Sequence, residues 1–129
     1  MVEMIMVLPL LLFVMFAIVE LSRAWYTLHL TTTAVREGAR AAAVATNSTA
    51  VNEGGNRLNF ILNGAGITPT STNIVLQNID PLCTVNCDQQ VIASASVSFH
   101  TIFPVLIPQL QTINMSQTAT MRFECGSSC

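Results

Sequence analysis

The sequence predicts an α+β fold in which one long N-terminal helix packs against a small antiparallel β-sheet head. Two patterns carry that expectation. The greasy block MVEMIMVLPLLLFVMFAIV runs without a loop signal into an amphipathic stretch, ELSRAWYTLHLTTTAVREGARAAAVAT, so one helix covers about the first third of the chain. Further on, QQVIASASVSFHT alternates apolar and polar residues from Gln89 to Thr101, the period of a half-buried strand. Composition adds a constraint. Hydrophobic residues make up 51% of the 129-residue chain and charged residues 9%, against about 25% charged in typical soluble domains. So few charges would keep an ordinary soluble monomer poorly dispersed.

The first half of the helix has the composition of a membrane segment. Met4 to Val19 contains no charge, which gives about 24 Å of helix, and the flanking Met1, Val2 and Leu21 extend it towards the ~30 Å hydrocarbon core of a bilayer. Trp25 and Tyr26 follow where interfacial aromatics are expected. No Lys or Arg precedes the run and ELSRAWY follows it, unlike the basic leader and small-residue cleavage site of a secretory signal. Arg23 is the nearest cation, and by charge bias alone it would place the head in the cytoplasm. Two residues stand out in this block. Glu3 is an acid near the apolar end, and it either reaches water or meets a cation from a neighbouring chain. Pro9 removes a backbone donor and crowds the carbonyl of Ile5, which marks a kink.

The second half turns amphipathic. Glu20 and Arg23 can pair at i,i+3. Leu28, Val35, Ala39 and Ala42 share one face, and His29, Thr33, Arg36 and Arg40 share a polar one. Small residues (Ala34, Gly38, Ala39, Ala41, Ala42, Ala43, Ala45) allow another backbone to come close. The expected division is therefore residues 1–46 as the long helix and 47–129 as the head. Within the helix, 1–22 is the part that meets a membrane or copies of itself and 23–46 the amphipathic part.

Asn47 and Ser48 stop the helix. A short second helix is expected over VNEGGNRLNFILNG, with Val51, Leu58, Ile61 and Leu62 on its apolar edge, Gly54 and Gly55 weakening its start, and Gly64 or Gly66 ending it. GITPTST reads as a connector. Strands are expected at Asn73–Asp80, Gln89–Thr101 and near Gln111–Glu124. FPVLIPQ, with Pro104 and Pro108, forms an irregular crossing between the last two.

The cysteines Cys83, Cys87, Cys125 and Cys129 all lie in the head. In an exported chain they are disulfide candidates. Antiparallel pairing of the last two strands would bring the two pairs to one end of the sheet, and cross-pairs are favoured over two local C-x3-C loops. A four-thiolate zinc site, or a thiol-redox module on a membrane anchor, is the alternative from another functional class. Otherwise no cofactor or metal is called for. There is no Gly-rich phosphate loop, no His/Asp/Glu cluster at ligand spacing and no nucleophile with a base, so an enzyme is not expected. A net charge of -2 without a single lysine argues against nucleic acid as a partner. Asn47-Ser48-Thr49 and Asn114-Met115-Ser116 match the glycosylation sequon, a tripeptide that recurs by chance.

The run E-M-I-M-V-L-P-L-L-L from Glu3 to Leu12 resembles the start of the TadE-like pilin and pseudopilin family, of the Flp/Tad branch of type IV pilus systems. So do ELSRAWY (Glu20 to Tyr26), AVREGARAAA (Ala34 to Ala43) and the closing ATMRFE (Ala119 to Glu124). The resemblance implies a type IV pilin-like fold and a precursor cut by a prepilin peptidase. It also implies a subunit held in the inner membrane, its head turned outward, before the pilus assembly machinery adds it to copies of itself in an extracellular filament. The role would be that of a structural subunit, or of a minor pseudopilin that initiates or caps the filament. By the same resemblance Glu3 and Pro9 are assembly residues, Glu3 meeting a neighbour's terminal amine. The cysteine-bearing tail is not part of the resemblance.

Overall fold

The computed structural model describes residues 2–46, 48–79, 89–102 and 112–123, with side chains from residue 4 onward. Five elements follow in order: helix α1 (Val2–Val44), helix α2 (Ala50–Gly64) and strands β1 (Pro69–Asn78), β2 (Gln89–His100) and β3 (Thr112–Arg122). The three strands form one antiparallel sheet with β2 in the middle. Both helices lie on one face of it, α1 over β2 and β3 and α2 over β1. This is the long-helix, small-sheet α+β arrangement expected from the sequence.

Helix α1 is 43 residues long, about 65 Å at 1.5 Å per residue. It passes through Thr31, Thr32 and Thr33, β-branched residues that are mediocre helix formers. Each hydroxyl donates to the carbonyl four residues back, Thr31 to Thr27 and Thr32 to Leu28 at 2.8 Å, and Thr33 to His29 at 3.0 Å. This leaves the fully buried Thr31 satisfied rather than an orphaned polar group in the core. Packing then supplies the stability that propensity does not. Val35, Ala39 and Ala42 are buried, and Leu28 half-buried, on the face the 3.6-residue period assigns to the core. His29, Thr33, Arg36 and Arg40 are exposed on the other.

The helices cross where side chains are smallest. A Cβ on Gly54 would lie 2.8 Å from the Ala42 Cβ, 2.8 Å from the Gly38 carbonyl oxygen and 2.7 Å from the Ile74 Cδ1. A Cβ on Gly38 would lie 3.0 Å from the Leu58 Cβ. The two glycines thus set the spacing of α1 and α2 and let Leu58 and Leu62 of α2 become completely buried, each burial contributing roughly 1.5 to 3 kcal/mol. The sequence suggested that Gly54 only weakens the start of α2. In the structure it is the contact that seats the helix. Val51, expected on the apolar edge, is exposed, because Ala50, Gly54, Leu58 and Leu62 hold the buried stripe and Val51 lies one residue around from it.

Helix α2 ends at Gly64, and Gly66 caps it two residues on. Gly66 has φ +71°, its N–H donates to the Asn63 carbonyl (3.0 Å), and the Ile67 N–H donates to the Leu62 carbonyl (2.9 Å). This is the Schellman arrangement, which needs a left-handed residue at that position. Strand β1 then starts at Pro69, so the second part of GITPTST is strand rather than connector. Proline is tolerated there because it is the first residue of an edge strand, next to a break in register between Pro69 and Ser71.

In β2 the predicted alternation holds: Val91, Ala93, Ala95, Val97 and Phe99 are buried towards the helices, and Ser94, Ser96 and Ser98 between them are half-buried on the far face. Ile74 pairs with Ala93, Val91 with Met121 and Val97 with Met115, so the apolar rows of all three strands align on the helix side. In β3 the same parity gives half-buried Ile113, Met115, Gln117, Ala119 and Met121. The expected crossing of Pro104 and Pro108 lies outside the described residues.

The two neighbouring glycines of α2 provide a paired test. Gly54→Ala is expected to destabilise the head by about 1 to 3 kcal/mol through overpacking. Gly55→Ala, which has nothing within 4 Å of its new methyl, is expected to stabilise α2 by roughly 0.5 to 1 kcal/mol. Thermal unfolding of the two detergent-solubilised variants, followed by circular dichroism, checks the opposite signs.

Candidate functional site

The most unusual surface of the molecule is the free part of α1. From Met4 to Val19 every residue is exposed, and the helix contains an 18-residue window of mean hydropathy 2.7 of which none is covered by the rest of the chain. A soluble domain seldom leaves so large a contiguous apolar patch open unless it is a membrane or protein interaction surface. Val7, Leu10, Leu11, Val14, Met15 and Ile18 form a shallow apolar face along it. Pro9 lies inside α1, and the helix continues on both sides of it. Glu3 lies in the first turn, where a helix favours negative charge.

The second part of the site is the junction where this free helix enters the head. Glu20, Ala24, Thr27 and Thr31 recur at three- and four-residue spacing on the side of α1 that turns towards the sheet. One Glu20 carboxylate oxygen accepts the backbone N–H of Ile102 at 2.6 Å, just past the end of β2. Its other oxygen pairs with the Arg23 guanidinium at 3.4 Å, and the Glu20 side chain is only 17% exposed. Arg23 in turn lies over the Phe99 ring, 5.4 Å from its centroid, an attractive cation–π geometry. The Glu20–Arg23 pair read from the sequence is therefore more than a surface ion pair: it fixes the end of the central strand to the helix.

Just beyond the junction, Trp25 and Tyr26 are both exposed. Trp25 packs edge-on against His29, their rings 5.0 Å apart. His29 has the surface role expected of it. Among the described residues no group of three or more His, Cys, Asp or Glu is placed to hold a metal.

The match to known families falls on this same segment. The family model described as TadE-like protein covers residues 1–40. Over that stretch, about a third of the chain, the sequence is similar to TadE-like proteins. The match supports a TadE-like protein of the Flp/Tad pilus system, as the sequence motifs implied. Neither the comparison with curated proteins nor that with solved structures gives a match. The matched residues include the whole apolar run, the Glu20–Arg23 junction and Gly38, and exclude the sheet.

The sequence-predicted site residues fall into two groups. Glu3 and Pro9 both lie on the free end of α1. Cys83, Cys87, Cys125 and Cys129 lie outside the described residues. The strand ends that flank them do meet: Asn78 pairs with Gln89, their side chains linked by a 3.1 Å hydrogen bond, and the Phe123 N–H donates to the Gln89 carbonyl at 2.8 Å. The Glu20–Ile102 contact could not be read from spacing, since 82 residues separate its partners. The only hint of it was that Glu20 shares the helix face of Thr27 and Thr31.

Glu20→Ala removes a charged acceptor from a strand-end amide, an interaction worth about 1.5 to 3 kcal/mol when shielded and less in partial contact with water. The Ile102 amide is expected to exchange with solvent about tenfold faster, with core amides such as that of Leu62 unchanged. Hydrogen-exchange mass spectrometry of the two chains in the same detergent reads that difference.

Proposed function

We propose that this chain is a structural subunit of an extracellular Tad-type filament, held in the inner membrane by α1 before assembly and packed through the same surface against copies of itself afterwards. The observation that carries the proposal is the uncovered apolar half of α1, continuous with a half that is built into the head. Lipid and neighbouring apolar helices both satisfy such a surface, so one segment can serve first as an anchor and then as a filament core. Apart from the first turn and the carbonyl that faces Pro9, its backbone hydrogen bonds close within the helix and need nothing from water in either setting.

Two residues take specific roles in this scheme. Glu3 at the free end would meet the terminal amine of the next subunit, a pairing that compensates for placing an acid among apolar side chains. Pro9 gives up one intrahelical bond and provides a place where the helix can bend as it passes from bilayer to fibre. A prepilin peptidase and the pilus assembly machinery are the partners this route requires. The family match over residues 1–40 supports participation in a Tad system. Glu3→Ala is expected to leave the subunit in the membrane and abolish filaments. Shearing the cell surface, then imaging the released material and weighing its proteins, checks this: abundant fibres from the mutant refute the pairing, and absence of the unaltered chain from any fibre refutes a major-subunit role.

The strand ends that flank the cysteines in sequence lie at the opposite end of the sheet from the Glu20 junction. With Asn78, Gln89 and Phe123 meeting there, cross-paired disulfides would tie the tail to the β1–β2 connection and resist the pull and proteolysis that a surface fibre meets. Intact mass of the exported chain after alkylation without reductant is expected to show no added label. Four labelled thiols, or a chain that retains zinc, would favour the metal or thiol module instead.

A further inference from the structure

We infer that the head has a lipid contact of its own: the rim formed by Leu21, Trp25 and Ile102 rests in the interfacial layer of the bilayer while the subunit is membrane-anchored. The inference builds on the proposed anchoring by α1 and adds the depth at which the head sits. Ile102 is held to Glu20 by the 2.6 Å hydrogen bond. Glu20 precedes Trp25 by five residues in α1, so its backbone lies about 7.5 Å further along the axis towards the apolar end than that of Trp25, and Ile102 is held near the Glu20 level. Helical side chains also lean towards the N-terminus, so a group that meets the Glu20 carboxylate lies no closer to the head than the Glu20 backbone. If Trp25 occupies the level that interfacial tryptophans favour, Ile102 lies at the edge of the hydrocarbon.

The chemistry of the rim fits that position. Leu21 is 70% exposed, Trp25 62% and Ile102 56%, so most of each side chain is open. Arg23, between the two helix residues in sequence, offers a cation at headgroup level and is itself 45% exposed. The connection that leaves the sheet at Ile102 returns at Thr112, which pairs with His100 and so re-enters at the same end of the sheet. No charged residue occurs between His100 and Arg122, so nothing in that part of the sequence opposes contact with an apolar phase. The rim is also continuous with the uncovered apolar run of α1, which makes lipid its natural occupant.

The test uses the full chain in vesicles of phosphatidylethanolamine and phosphatidylglycerol, with bromine placed near the top of the acyl chains as a contact quencher. The chain has a single tryptophan, so Trp25 of the unaltered protein reports the anchor. The W25F/I102W chain reports the rim. Quenching at position 102 is expected within about twofold of that at Trp25. Position 102 open to aqueous iodide and untouched by brominated lipid, with Trp25 quenched, overturns the inference and leaves the anchor standing. Loss of quenching at both overturns the anchor as well. For the unaltered chain, a photoactivatable lipid analogue in the same vesicles is expected to label the peptide containing Ile102. Labelling confined to α1 overturns the inference without reliance on the variant's folding.

Discussion

A helix that buries one half of its length inside its own chain and none of the other half imposes a requirement on everything around it. From Met4 to Val19 every residue is exposed, a surface suited to lipid or to other helices. From Thr31 onward the same helix is the floor of a folded head, and residues of α2, β1 and β2 complete the core on it. The head cannot move along or around this helix without breaking that core. Partner binding at one end and folding at the other are therefore coupled through a single continuous hydrogen-bonded rod.

The way the head is seated follows from side-chain size. Large residues on α1 would hold α2 and the sheet away, and the small head would lack the area to compensate. The alanines of α1, with Gly38 against Gly54, bring the two backbones close enough for Leu58, Leu62 and Ile74 to fill the space between the layers. Below that packed region the contact changes character. Near Glu20 the sheet is joined to the helix by a carboxylate and a guanidinium beside the buried Phe99 ring, so directional contacts add to apolar packing. Directional bonds suit a position at the border of the apolar run, where burial of hydrocarbon would not distinguish the head from the bilayer.

Much of this was legible in the sequence, for identifiable reasons. The helix, the two faces of its second half and the alternation of β2 are periodic signals, and period survives folding. Antiparallel pairing of the last two strands was expected, and the register of β2 with β3 agrees with it. What periodicity missed were contacts set by shape. Gly54 reads as a helix breaker because sequence shows propensity but not the neighbouring Gly38 carbonyl. Val51 reads as apolar edge because the stripe that wins includes a glycine and an alanine, which hydrophobicity weighs lightly. Pro69 reads as loop because only the topology reveals an edge where a missing N–H is harmless. Of the candidate site, the apolar surface was plain from composition, whereas the Glu20 junction depends on a strand end more than half the chain away.

The unbroken passage of α1 from free segment to head sets an angular code. Each residue of an α-helix turns by about 100° and climbs 1.5 Å. Adding one residue between Ile18 and Glu20 would leave the fold of the head intact, yet swing it by about 100° relative to the face formed by Val7, Leu11, Val14 and Ile18. The direction in which the head points from any array built on that face is therefore written in the number of residues between them. Length in this segment should tolerate change far less than side-chain identity does.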